Sequence, residues 1–180
     1  MDLESYFENN ANGLANNVEG GGAGNFSVYN SVFKGSTNAD LTISNTEQHT
    51  ARNNFSINSK KFYYSTGGGQ NGSMTAVTGN VILDTLDSEA IYVGDWGPAT
   101  VNDNVIRSRA SNTGPAIKMN VPSDMLTAGN KINTTISASG RWISFDNQVV
   151  TRASITNAEP ILPFKSPKTT RQVFEVPTLS

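Results

Sequence analysis

Asparagine returns at a near-constant interval, each time opening a short apolar run. The segments are Asn54-Phe55-Ser56-Ile57, Asn80-Val81-Ile82-Leu83, Asn104-Val105-Ile106-Arg107 and Asn130-Lys131-Ile132-Asn133, spaced 26, 24 and 26 residues apart. Asn25-Phe26-Ser27-Val28 reads as a further copy 29 residues earlier. A second run keeps phase with the first: Ala90-Ile91-Tyr92-Val93, Ala116-Ile117-Lys118-Met119 and Trp142-Ile143-Ser144-Phe145, with Phe62-Tyr63-Tyr64 as a looser earlier copy. A third falls at Thr75-Ala76-Val77, Ala99-Thr100-Val101 and Met125-Leu126-Thr127. Alternation along a strand puts Ile91/Val93, Ile117/Met119 and Ile143/Phe145 on one face and Tyr92, Lys118 and Ser144 on the other.

Three short strands per 24–29 residues predict an all-β chain, a right-handed parallel β-helix (β-solenoid) of about five coils. Each coil buries its apolar face only by stacking on its neighbours, and equivalent residues sit about 4.8 Å apart along the stack. Ile82, Ile91, Ile106, Ile117, Ile132 and Ile143 are expected to line the interior. The asparagines are expected at tight turns, where they tolerate a left-handed backbone and bond to the asparagine above and below. Composition agrees. There are 22 Asn, 19 Ser, 18 Thr and 16 Gly, residues poor in helix interiors and good in turns, which disfavours a helical bundle. A β-sandwich alternates without holding phase at this interval, and the leucine pattern of a leucine-rich repeat is absent.

The ends read differently. Residues 1–157 are taken as the solenoid domain, with Leu3 to Asn10 as the last strand of a preceding coil, Asn16 to Gly22 as a turn-rich link and Gly67 to Gly69 as a loop. Residues 158–180 hold Pro160, Pro163, Pro167 and Pro177 and are read as an extended tail that caps the column or contacts another subunit.

Several chemistries are excluded. With no cysteine there is no disulfide, thiolate metal site or Cys nucleophile. His49 is the single histidine, so a two-histidine zinc site is impossible, and no Gly-x-Ser-x-Gly accompanies it. His49 is expected in an exposed polar loop. No cofactor or metal is expected. A net charge of −2 gives no footprint for nucleic acid, and no apolar run is long enough for membrane insertion. Residues 1–20 lack the pattern of a signal peptide.

Tyr6-Phe7-Glu8-Asn9-Asn10 followed by Asn-led coils resembles the β-helix body of bacteriophage tailspikes and related pectate-lyase-like proteins, over residues 1–150. The resemblance implies a homotrimer, a place in a virion tail or outside the cell, and a bacterial surface polysaccharide as partner. It also implies that the chain is one portion of a longer spike. The Asn-Thr-Asp, Asp-Asp and Gly-His-Gly segments of polygalacturonase-like hydrolases are missing. Tailspike depolymerases place two carboxylates on a groove with no fixed signature.

The candidate residues follow from that frame. Asp84, Asp87 and Asp95 are the candidate catalytic residues, because two carboxylates about 5–9 Å apart serve glycosidic chemistry. Glu89 falls in the same stretch. Tyr92, Trp96, Arg107, Arg109 and Lys118 are the candidate ligand-binding residues: ring faces for sugars, cations for acidic groups. These are expected, with Asp95, on the outer surface of two adjacent coils. The plainer expectation is a surface ladder in which Arg107 or Arg109 pairs with Asp84 or Asp87 on the neighbouring coil. Outward Tyr64, Tyr92 and Trp142 are expected at a subunit interface. Three functions remain open at this point: a polysaccharide-recognition module, a depolymerase acting as hydrolase or lyase, and a structural fibre segment.

Overall fold

The computed structural model describes residues 5–16, 23–44, 46–66 and 74–156. Most of the Asn16–Gly22 link, the Gly67–Gly69 loop and the 158–180 tail lie outside the described residues. The chain makes three parallel sheets by repeated circuits, one strand per sheet each time. Sheet 1 holds β1 (Tyr6–Glu8), β4 (Val32–Lys34), β7 (Phe55–Ile57), β10 (Val81–Thr85), β13 (Val105–Ser108), β16 (Lys131–Ile132) and β19 (Gln148–Val149). Sheet 2 holds β2 (Asn12–Asn16), β5 (Ala39–Ser44), β8 (Tyr63–Thr66), β11 (Ile91–Gly94), β14 (Pro115–Asn120) and β17 (Thr135–Ser139). Sheet 3 holds β3 (Ala23–Tyr29), β6 (Thr46–Arg52), β9 (Met74–Thr78), β12 (Ala99–Asn102), β15 (Met125–Ala128) and β18 (Trp142–Phe145). This is a parallel β-solenoid, as the repeat requires.

The core is a set of vertical rows. In sheet 1, Phe33, Ser56, Ile82, Ile106 and Ile132 are in register and all at 0% exposure. In sheet 2, Leu41, Tyr63, Ile91 and Ile117 are in register and fully buried, with half-buried Leu14 below and Ile136 above. Each such isoleucine contributes about 1.5–3 kcal/mol by leaving water.

The corner from sheet 3 into sheet 1 carries the asparagines, and two residues divide the work there. The first takes the left-handed backbone: Asn30, Asn53, Gly79, Asp103, Gly129 and Asp146 all have φ between 50° and 68°. The second makes the ladder. Asn54, Asn80 and Asn104 each present Oδ1 to the residue below and donate Nδ2 to the next asparagine. Each also donates Nδ2 to a carbonyl of sheet 3: Asn54 to Val28, Asn80 to Ala51 and Asn104 to Val77. The ladder runs from Ser31 through these three to Asn130 and Asn147.

This corrects two expectations. Asn25 is not a rung: it lies within β3 opposite Gln48, and Ser31 holds the equivalent place, offering its N–H to Asn54 Oδ1 at 3.0 Å. The Trp142–Phe145 strand is not the successor of Ile91 and Ile117. It pairs with β15 in sheet 3, and the sheet 2 successor is β17, with Ile136 opposite Ile117. The last circuit is short, with Asn130 and Asn147 only 17 residues apart. Trp142 continues the inward row of Met125 and donates Nε1 to Thr127 Oγ1 at 3.0 Å, so it is not the outward residue expected; Ile143 takes the outward phase opposite Leu126 and is 67% exposed.

Asp40 is a fully buried acid. Burial raises its carboxyl to about 6, against hydroxyls of Ser56, Ser59 and Ser36 that lower it. The unfolded chain releases this proton near 3.8, so stability falls as pH rises from 3.8 through about 6 and is level above. The expected loss is about 3 kcal/mol. It should appear in low-salt denaturant titrations as a pH-dependent difference between wild type and Asp40→Asn.

Candidate functional site

The candidate residues cluster around the β10–β11 connection, but the fold distributes them over three regions, one of them interior. On the sheet 1 side, Asp84 stands at a left-handed position (φ 57°) where the β10–β13 register shifts. Arg107 grips it with both arms, Nε to Oδ1 at 3.1 Å and Nη2 to Oδ2 at 2.5 Å, and Arg152 adds a contact to Oδ1. Arg109 donates to the Asp84 carbonyl at 3.1 Å. This is the neighbouring-coil ladder anticipated for Asp84 and Arg107. Burial works against ionisation of Asp84, but the two guanidiniums outweigh it and hold the carboxyl below the usual range.

Arg107 and Arg152 also secure a segment that the repeat does not announce. After β19 the chain folds back over the outer face of sheet 1 through a 3-10 turn at Arg152–Ser154. Ile155 is buried there with Val32, Phe55 and Leu83. Arg107 donates to the Ile155 carbonyl at 3.0 Å, and Arg152 to that of Ser108 at 3.2 Å. Arg107 is thus 8% exposed and structural in its contacts. Asp84→Ala strands a nearly buried guanidinium; it is expected to cost about 3 kcal/mol and to speed amide exchange across residues 150–156.

Asp95 is the plain correction among the site residues. It faces inward at 4% exposure, not outward beside Tyr92. Its carboxylate accepts from Thr75 Oγ1 at 3.0 Å and from the Gly97 N–H at 3.2 Å, and lies 3.7 Å from His49 Nδ1. His49 is likewise interior, 3% exposed, with Nδ1 2.7 Å from the Tyr63 hydroxyl. An inward row of sheet 3 runs His49, Thr75, Ala99, Met125, so His49 belongs to the core register and not to a loop. Asp84, Asp87 and Asp95 therefore lie on sheet 1, in the connecting turn and in the interior, and share no open groove.

The third region is the outer face of sheet 2. Tyr64, Tyr92 and Lys118 are in register on β8, β11 and β14. The tyrosine rings stack with centroids 5.3 Å apart, and Lys118 Nζ stands 5.8 Å from the Tyr92 centroid. Gly94 makes this possible, because a Cβ there would come within 2.6 Å of the Tyr92 ring, which lies flat along its own strand. Glu89 bridges Lys61 at 3.1 Å and Lys118 at 3.0 Å, and Lys61 also meets Asp87 at 2.9 Å. Burial raises the Glu89 carboxyl, and the two lysines more than reverse it. Four residues after Tyr92, Trp96 projects from the turn that Asp95 ties down, 50% exposed. Sequence reasoning missed Lys61; its position in the β7–β8 connection gives no alternation to read.

Sheet 3 offers a shallow depression of about 230 Å³ among Gln48, Thr50, Met74, Ala76 and Thr100. Among the described residues, no three His, Cys, Asp or Glu side chains gather to hold a metal, and no helix is long and apolar enough to cross a membrane. The fold defines the class, a three-sheet parallel β-solenoid with an asparagine ladder. Neither protein-family models, curated proteins nor solved structures yield a match to the chain.

Proposed function

We propose that the protein is a tailspike-type recognition module that binds bacterial surface polysaccharide on the outer face of sheet 2. The observation that carries this is the Tyr64–Tyr92 stack with Lys118 beside it and Trp96 at the adjoining turn. Flat, partly exposed rings offer apolar faces to the C–H side of sugars, and Lys118 supplies a donor for an acidic sugar. Binding is favoured over depolymerisation because Asp84 and Glu89 are each held between two cations and Asp95 is buried. Neither hydrolysis nor elimination has a matched pair of acid and base to work with there. The working form is a homotrimer in a virion tail or another extracellular spike, tested by light scattering.

The test is a panel of capsular and lipopolysaccharide glycans against wild type, Tyr92→Ala and Trp96→Ala. Tyr92→Ala is expected to weaken binding about tenfold or more, the worth of one lost stacking contact of about 1.4 kcal/mol, with little change in melting. Binding that survives both substitutions, or release of reducing ends from any glycan by wild type, would overturn the reading.

A further inference from the structure

The corner where sheet 1 passes into sheet 2 holds an acid with no counter-charge. Asp40 is the second residue of β5, at 0% exposure, surrounded by Ser36 (1%), Ser56 (0%) and Ser59 (0%). Ser56 Oγ donates to Asp40 Oδ2 at 2.5 Å, and Ser59 Oγ accepts the Ser36 N–H at 3.1 Å. The influences on the carboxyl are burial and these three hydroxyls, with no lysine or arginine among them. Two fully buried oxygens, Asp40 Oδ1 and Ser36 Oγ, have no hydrogen-bond partner.

Buried polar atoms are almost always satisfied, and an unpaired buried carboxylate is among the costliest groups a fold can hold. The proton that the raised carboxyl holds at low pH is gone above about pH 6, where Asp40 is charged and Oδ1 and Ser36 Oγ still lack a hydrogen-bond partner. A water would satisfy both oxygens and leave the charge. We propose that the Asp40 corner binds one desolvated monovalent alkali cation through Asp40 Oδ1, Ser36 Oγ and the adjoining Ser59 hydroxyl. The donor set is all oxygen, which suits a hard cation. One carboxylate among neutral hydroxyls balances one positive charge, whereas a divalent ion would leave a net charge buried. The site lies between two successive circuits, so the ion would tie the β4–β5 connection to the β7–β8 connection. It is remote from the sheet 2 face and does not depend on what that face binds.

The full chain is melted, at a pH well above the titration of Asp40, in sodium, potassium and choline chlorides of equal ionic strength. The midpoint is expected to rise by about 3 °C or more in at least one alkali salt relative to choline, and to saturate with concentration. Asp40→Asn should abolish the difference, and Ser36→Ala should raise the half-saturating concentration about tenfold, the effect of one lost ligand contact. Equal midpoints for wild type in alkali and choline salts would overturn the proposal in favour of a bound water. A salt response that persists in Asp40→Asn would also overturn it. Where Asp40→Asn fails to fold, Ser36→Ala decides, and an unchanged half-saturating concentration rejects the site.

Discussion

Asn104→Ala is expected to destabilise the column by at least about 4 kcal/mol. The side chain accepts from the N–H and Nδ2 of Asn80 and donates to the Val77 carbonyl and to Asn130 Oδ1, all at 2.9–3.0 Å in a fully buried corner. Alanine removes four hydrogen bonds at once, each worth about 1 kcal/mol, and takes from the buried Asn80 N–H its Oδ1 acceptor, while Asn80 Nδ2 keeps the Ala51 carbonyl and Asn130 Oδ1 keeps the Asn104 N–H. Denaturant unfolding measures the loss. Asn25→Ala serves as the comparison, since Asn25 is exposed on β3 and should change stability by less than about 0.5 kcal/mol. Equal effects at the two positions would remove the ladder as the organising element.

Ile117→Asp is expected to be at least as severe, costing several kcal/mol or preventing folding. Its side chain is at 0% exposure in the middle of the sheet 2 row, packed between the circuits of Ile91 and Ile136. A carboxylate there has neither water nor partner. Ile143→Asp makes the contrast sharp. Spacing alone would rank the two alike, but Ile143 is 67% exposed on the last circuit and should tolerate the change within about 0.5 kcal/mol. Circular dichroism melting of both variants checks the register directly.

Much of the column is legible because its strands obey one local rule, alternation, at one interval. Ile82, Ile91, Ile106, Ile117 and Ile132 all fall in the core where that rule puts them. The rule fails where the interval changes. Asn147 was invisible as a rung because the final circuit takes 17 residues, and Thr135-Ile136-Ser137-Ala138-Ser139 was invisible as a strand because its small side chains carry little hydrophobic signal. The accidental 26-residue spacing of Ile117 and Ile143 then filled the gap. Ser31 escaped notice for a different reason: at the ladder's start the role needs only a backbone N–H, which any residue other than proline has.

The site was legible in its residue types and less so in its geometry. Asp84 with Arg107, and the outward line of Tyr92 and Lys118, follow from neighbouring-coil register. Asp95 and His49 do not. A polar residue next to a turn reads as exposed, yet here Thr75, Tyr63 and the Gly97 N–H provide enough hydrogen bonds to hold both inside. The return of residues 150–156 over sheet 1 has no periodic signature, since it is fixed by Arg107, Arg152 and Ile155 meeting partners far away in sequence.

The asparagine corner also separates what can vary in length from what cannot. Every passage from sheet 3 to sheet 1 takes two residues, from Asn30-Ser31 to Asp146-Asn147. The passages from sheet 1 to sheet 2 range from two residues between β16 and β17 to six between β13 and β14. The left-handed residue and its asparagine leave no room for an insertion, because one added residue would break the rung above and the rung below. Length variation is confined to the other corners, where a loop can lengthen without changing the pitch of the stack. Such a chain can acquire new surface loops, circuit by circuit, while its spine keeps a constant gauge; it is a scaffold on which peptides can be grafted at the Arg109–Gly114 connection but not at Asp103-Asn104.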